Sequence, residues 1–224
     1  HQSNLKVIVT IIPKPRQQEL LMSSFLDMVN ATDGDFTVLA KLAKASADDE
    51  SMQLTIQHLS LYPQGKQAFT DRFSLGAIDL VELSKLADNT LGRLYAEHMM
   101  QNQLKPLQAE FPQSDRDFLG VHIAETHDIW HVVTGCKTDM LGEIQLEAFY
   151  IAQLKMSRFW LALVTKNLLK SLLYDIEVAD RYMGVITKGW TMGNQAEPLF
   201  GVNWNNLWET PIEEVRASFN VMGV

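Results

Sequence analysis

The chain has 224 residues, 46% of them hydrophobic and 21% charged, with a formal net charge of -8 at pH 7. That balance supports a single packed domain and excludes a disordered or fibrous chain. The acidic excess argues against a nucleic-acid backbone as the main partner, and it means that any membrane contact has to be apolar or partner-mediated.

Residues 5–12 are rich in β-branched side chains and are stopped by Pro13 and Pro15, so residues 1–16 read as an extended N-terminal arm. Everything after it has helical spacing, and the expected fold is all-α, one multi-helix domain over residues 1–224. Helices are predicted over 17–29, 36–45, 48–59, 78–87 and 90–103, with a break at Thr32-Asp33-Gly34-Asp35 and a turn at Pro63 and Gly65. Ser114 with Asp117 predicts an N-cap for a helix running to Thr134 before Gly135. Thr138 or Asp139 caps the next helix, through Leu154, and further helices are expected over 157–173 and 175–185. Three glycines and Pro198 make 189–201 read as mostly loop, and Thr210, Pro211 and Glu213 suggest a capping box for a last helix to Phe219. The longest apolar stretches, 7–12 and 159–164, are too short to span a bilayer. Cys136, the single cysteine, has no internal disulfide partner, which fits a reducing compartment.

The chemistry concentrates on the two helices around Gly135. His127 and His131 are spaced i, i+4, so both imidazoles leave one helical face and can converge on one ion. Asp128 stands beside them, and Glu143 follows His131 after an interval of eleven residues, where a helical hairpin would fold it back opposite the histidines. Two imidazoles and one or two carboxylates suit zinc, iron or another divalent ion and leave positions open for water or substrate. Gly120, Ala124 and Gly135 extend the histidine face as a stripe of small residues with room for a ligand or for close helix packing. The competing reading is plain: histidine pairs at helical spacing are commonly structural or surface residues. His122, Glu125, Glu147 and Tyr150 lie within reach of this cluster but read more simply as supporting, core or solvated groups. Cys136 has no matched triad, and neither GxxxxGK[ST] nor GxGxxG is present. Trp160, Trp190, Trp204 and Trp208 read as core or interface anchors, while Arg181 and Lys188 are solvent-facing charges by default and candidates for an anionic head group.

The ordered pattern His127-Asp128-Ile129-Trp130-His131 followed by Glu143 resembles the HDxxH…E signature of the coenzyme Q biosynthesis protein 4 family. Glu125, Gly135 and Gly142 fall at matching places. Upstream, Leu86, Asn89-Thr90-Leu91-Gly92 and Tyr95-Ala96 are similar to a further family segment. Downstream, Pro198-Leu199-Phe200, Trp204, Trp208-Glu209, Pro211 and Val215-Arg216 are similar to the family's C-terminal signature. The chain departs from the pattern at His122 and Ala124, where family members often carry arginines, and at Asn89, where glycine is usual.

The resemblance implies a ubiquinone-biosynthesis protein that binds a polyprenylated aromatic or prenyl lipid beside a divalent metal, with His127, Asp128, His131 and Glu143 as metal-binding and catalytic residues. Zinc is the expected ion, with iron and magnesium as alternatives. The implied activity is oxidative decarboxylation, ring carboxylate replaced by hydroxyl; the alternative is a non-catalytic scaffold that presents lipid intermediates to other quinone-biosynthesis proteins. Implied too is a cytoplasmic location with peripheral membrane association, on the matrix side of the mitochondrial inner membrane in a eukaryote. Aromatic residues on the helices near the C-terminus point separately to self-association, with a homodimer as the expected form.

Overall fold

The structure, a computed structural model, describes residues 15–108 and 110–224. Among the described residues the fold is all-α, as the spacing predicts, with eleven α-helices and no strand. They are α1 (Pro15–Asn30), α2 (Phe36–Ser46), α3 (Asp49–Leu59), α4 (Pro63–Asp71), α5 (Leu80–Leu83), α6 (Leu91–Gln101), α7 (Asp115–Thr134), α8 (Met140–Leu154), α9 (Arg158–Tyr174), α10 (Ala179–Gln195) and α11 (Ile212–Ser218). No described helix is long and apolar enough to cross a membrane.

Most helix starts follow from single side chains. Asp35, Asp48, Thr90, Ser114, Asp139 and Ser157 each accept a backbone N–H from the first turn of the helix they open, satisfying donors that would otherwise have no partner. The core is continuous and is built around α6, α7 and α8, with Tyr95, Phe118, Trp130, Phe149, Phe200 and Trp204 all at 1% exposure or less.

Five expectations meet a different structure. The extended arm over 1–16 falls outside the described residues for 1–14, while Pro15 and Arg16 are already the first residues of α1, a position proline favours because its missing N–H costs nothing there. Pro63 and Gly65, read as a turn, open α4; Gly65 is needed because a β-carbon there would collide with the carbonyl of Leu59. The helix read over 78–87 shrinks to the single turn of α5, which has no fully buried residue and only Leu80 and Leu83 packed against the core, too little to sustain a longer helix.

The fourth difference is the largest. The segment 189–195, read as loop, is the last part of α10, because Gly189 and Gly193 let that helix lie directly on α8. A β-carbon on Gly189 would strike the Gln145 carbonyl, and one on Gly193 would sit 2.8 Å from the Phe149 carbonyl and 2.7 Å from the Ala152 side chain. Glycine's poor helix propensity is overridden here by close backbone packing. Gln153 then locks the helix end, donating to the Gly193 carbonyl at 2.8 Å and accepting the Leu199 N–H at 3.0 Å.

Finally, the capping box at Thr210 does not form. Pro211 is the N-cap of α11 and no side chain caps it. The turn is held instead by backbone bonds to the start of α6: the Leu91 N–H donates to the Thr210 carbonyl at 2.9 Å and the Ile212 N–H to the Asn89 carbonyl at 2.7 Å.

Candidate metal centre

The α7–α8 hairpin is set by two glycines. Gly135 ends α7 in the left-handed region at φ +71°, and Gly142 packs so tightly on Lys137 that any β-carbon would meet its backbone. This turn returns Glu143, in the first turn of α8, to the histidine face of α7. His127, His131 and Glu143 offer one ligand atom each, all within 4.8 Å of one another.

Each imidazole is held by a second contact. His131 is 2% exposed, and its Nδ1 lies 2.9 Å from the Cys136 carbonyl. A carbonyl only accepts, so Nδ1 carries the proton and Nε2 is left as the lone-pair nitrogen, 3.3 Å from Glu143 Oε1. His127 Nδ1 lies 3.2 Å from the Tyr150 hydroxyl. Tyr150 in turn stacks between Trp130, at 4.3 Å, and Trp160, at 3.9 Å, so the ring that steadies His127 is itself fixed on both faces.

The charges divide the pair. Burial, helped by the neighbouring His131, pushes His127 down to about 4 and keeps it neutral and able to ligate. Burial opposes protonation of His131 too, but the Glu143 carboxylate, the Cys136 carbonyl and Asp128 outweigh it and raise its pKa. The Glu143 carboxylate that favours a proton on His131 equally favours a divalent cation between them. The donor set of two imidazoles and a carboxylate fits such an ion, with the tautomer of His131 already chosen.

Asp128 is not among the three converging groups. Its Oδ1 lies 2.9 Å from Nε2 of His98, a residue of α6 that sequence spacing does not single out, and the His98 ring stacks on His131 with centroids 5.6 Å apart. Burial works against the Asp128 carboxylate, yet the hydrogen bond from His98 and the nearby histidines bring its pKa below the usual value. No motif flags His98; its place beside Asp128 appears only once α6 is packed on α7.

The neighbouring candidates take other roles. His122 is buried among Phe73, Phe118 and Phe200 and its Nε2 accepts the Gly201 N–H at 3.1 Å. Glu125 pins the segment before α5, accepting the Ser74 hydroxyl at 2.9 Å and the Leu75 N–H at 2.8 Å. Glu147 is buried one turn beyond Glu143 and accepts from Asn167 at 3.0 Å; burial pushes its pKa up to about 8. Trp160 and Trp204 are core residues, Trp208 stacks on Tyr95 at 5.2 Å, and Trp190, Arg181 and Lys188 are exposed. Cys136 is buried, and desolvation raises its thiol to about 11, so its contribution is the backbone carbonyl. Gly120 and Ala124 lie on the surface, with open space above Gly120. Two clefts of about 240 and 360 Å³ flank α10 and share no residue with the cluster, which is marked by its side-chain chemistry.

Comparison with known proteins agrees with the signature read from the sequence. Residues 9–224 match the family described as Coenzyme Q (ubiquinone) biosynthesis protein Coq4. A mitochondrial ubiquinone biosynthesis protein COQ4 homolog of Danio rerio is 29% identical over 169 residues, covering 71% of this chain and 60% of the relative. The corresponding homolog of Aedes aegypti is 25% identical, covering 70% and 59%, and the mitochondrial COQ4 protein of Scheffersomyces stipitis is 26% identical, covering 74% and 53%. The matched segment thus spans less than two thirds of these relatives' length. A crystal structure from Nostoc punctiforme, provisionally named a ubiquinone biosynthesis protein, superposes with a TM-score of 0.82 at 25% identity, covering 92% of this chain and 99% of that one. The chain belongs to the Coq4 family of ubiquinone biosynthesis proteins.

Proposed function

We propose that this Coq4-family chain holds a divalent cation on His127, His131 and Glu143 and uses the centre to grip the polar head of a polyprenylated aromatic intermediate of ubiquinone biosynthesis. The observation that carries this reading is the convergence of the three side chains, with the tautomer of His131 fixed by the Cys136 carbonyl. Zinc comes first among the ions, with iron or magnesium as alternatives; two imidazoles and one carboxylate also suit iron(II). Once bound, the ion would polarise a carboxylate oxygen of the head group and stabilise charge developing on it.

The rest of the work falls to the chain. The Tyr150 hydroxyl and the Cys136 carbonyl orient the two imidazoles, and the rings of Tyr150 and Trp160 stack beside His127 and steady it. Glu143 is the most open of the three, with its side chain 38% exposed, and marks the side from which a polar head would enter. Glu143 or Asp128 is the base assigned to the reaction. That reaction is replacement of the ring carboxylate by hydroxyl, which consumes dioxygen and an external two-electron donor and releases carbon dioxide and water. Peripheral membrane contact, association with other quinone-biosynthesis proteins and homodimer formation belong to the same proposal. The exposed apolar side chains Leu172, Leu173, Tyr174 and Ile176 support contact that is apolar, in keeping with the acidic surface.

The test is turnover of a prenylated hydroxybenzoate by ion-loaded protein with dioxygen and a reductant, followed by carbon dioxide release and by mass spectrometry of the product. Ion-dependent turnover, lost in His127→Ala, is the expected result. Bound prenyl lipid without turnover would replace the enzyme with the presenting scaffold. Absence of both ion and lipid would sink the proposal.

A further inference from the structure

We infer that His98, and not the cation, is the partner that holds Asp128, so that Asp128 stands outside the inner ligand set as a carboxylate positioned by α6. The second half of this inference rests on the metal reading above; the pairing itself does not.

Helix geometry gives Asp128 a choice. One residue after His127 and three before His131, it leaves α7 on the flank of the histidine face, between the candidate centre and α6. His98 decides between them. Its Nε2 is 2.9 Å from Asp128 Oδ1, with both side chains largely covered at 14% and 27% exposure. A carboxylate at that depth needs a donor, and the imidazole supplies it. Asp128 is not among the groups whose ligand atoms converge within 4.8 Å, so reaching the ion would require its side chain to swing away from His98, a loss the pairing resists. The ring of His98 also lies against His131, 5.6 Å between centroids and 26° between planes, so the His98–Asp128 pair braces one imidazole of the centre from the α6 side.

The consequence concerns coordination. With Asp128 held back, the chain supplies two imidazoles and one carboxylate, and the ion keeps additional positions for water or the head group. Among the described residues no group donates to Asp128 Oδ2, which leaves that oxygen available to a group bound at the centre. His98 is therefore a positioning residue.

Two measurements on His98→Leu, Asp128→Asn and the double variant test this, with His98→Gln as a substitute if the leucine variant does not fold. In chelator-treated protein, a double-mutant cycle on the folding equilibrium is expected to show coupling of about threefold or more between the two sites; coupling below about twofold overturns the pairing. Zinc affinity by chelator competition is expected to fall by no more than about tenfold in Asp128→Asn, the scale of an outer partner, and by more than about 100-fold in His127→Ala. Equal losses in those two variants would make Asp128 a ligand and overturn the inference. If wild-type protein takes up no ion, the metal reading fails, and the coupling alone decides for or against the pairing.

Discussion

Helix α7 buries His122 and His131 on opposite sides, and the two have opposite chemistry. Nine residues apart on a helix of 3.6 residues per turn, they face away from each other, and both are 2% exposed. His122 sits among three phenylalanine rings; burial pushes its pKa down to about 4, its Nε2 accepts the Gly201 N–H, and among the described residues its Nδ1 has no partner. His131 is buried to the same degree, but Glu143, the Cys136 carbonyl and Asp128 reverse the effect and raise its pKa. Equal burial thus makes one histidine a fixed neutral acceptor that ties α7 to the loop after α10. The other becomes a group that holds either a proton or a cation. Depth does not mark a functional histidine; the sign of the charge around it does.

The contrast can be broken most forcefully from the His131 side. Replacing His131 with alanine should lower ion affinity by more than about 100-fold, since a ligand is lost where an outer partner alone costs about 10- to 100-fold; competition titration checks it. Retained affinity would mean that the two histidines differ only in packing. Next in size is His122→Leu, which should leave ion affinity unchanged but destabilise the fold by about 2 kcal/mol, because the Gly201 N–H loses its buried acceptor.

The same variant sharpens the comparison by pH. A histidine whose pKa is depressed on folding stabilises the protein fully above its unfolded value near 6.5 and loses that contribution as pH falls through its folded value of about 4. Denaturant titrations between those pH values should therefore show a slope smaller by about one proton in His122→Leu. An unchanged slope would show that His122 is not neutral in the fold. The smallest expected effect is Tyr150→Phe, which removes the hydroxyl next to His127 and should weaken ion binding by about tenfold with the fold intact.

Much of this was legible in the sequence because single residues announce it. Ser114 and Gly135 mark where α7 begins and ends, Asp139 marks where α8 begins, and the i, i+4 pair followed by Glu143 marks where their faces meet. What stayed hidden depends on contacts between distant segments. Gly189 and Gly193 weaken a helix when considered alone and strengthen this one only because α8 lies beneath them. Thr210 has the residues of a capping box, but its neighbours pair with α6 instead. His98 carries no spacing signal, since it reaches Asp128 across helices thirty positions apart. Asp128 shows the same limit from within the motif: its place in the pattern gives its side of α7, and only the packing of α6 gives its partner.

The glycine seam between α10 and α8 has a bearing on the centre that its position conceals. Glu143, Glu147 and Tyr150 all ride on α8, and the opposite side of that helix is clasped backbone to backbone by α10. A helix gripped in this way cannot roll or slide without forcing its neighbour to move as well. The aim of the carboxylate and of the tyrosine hydroxyl is therefore inherited from two residues that have no side chain at all. Steric bulk introduced at Gly189 or Gly193 would act like a shim under a lens mount, shifting the focus of a site it never touches.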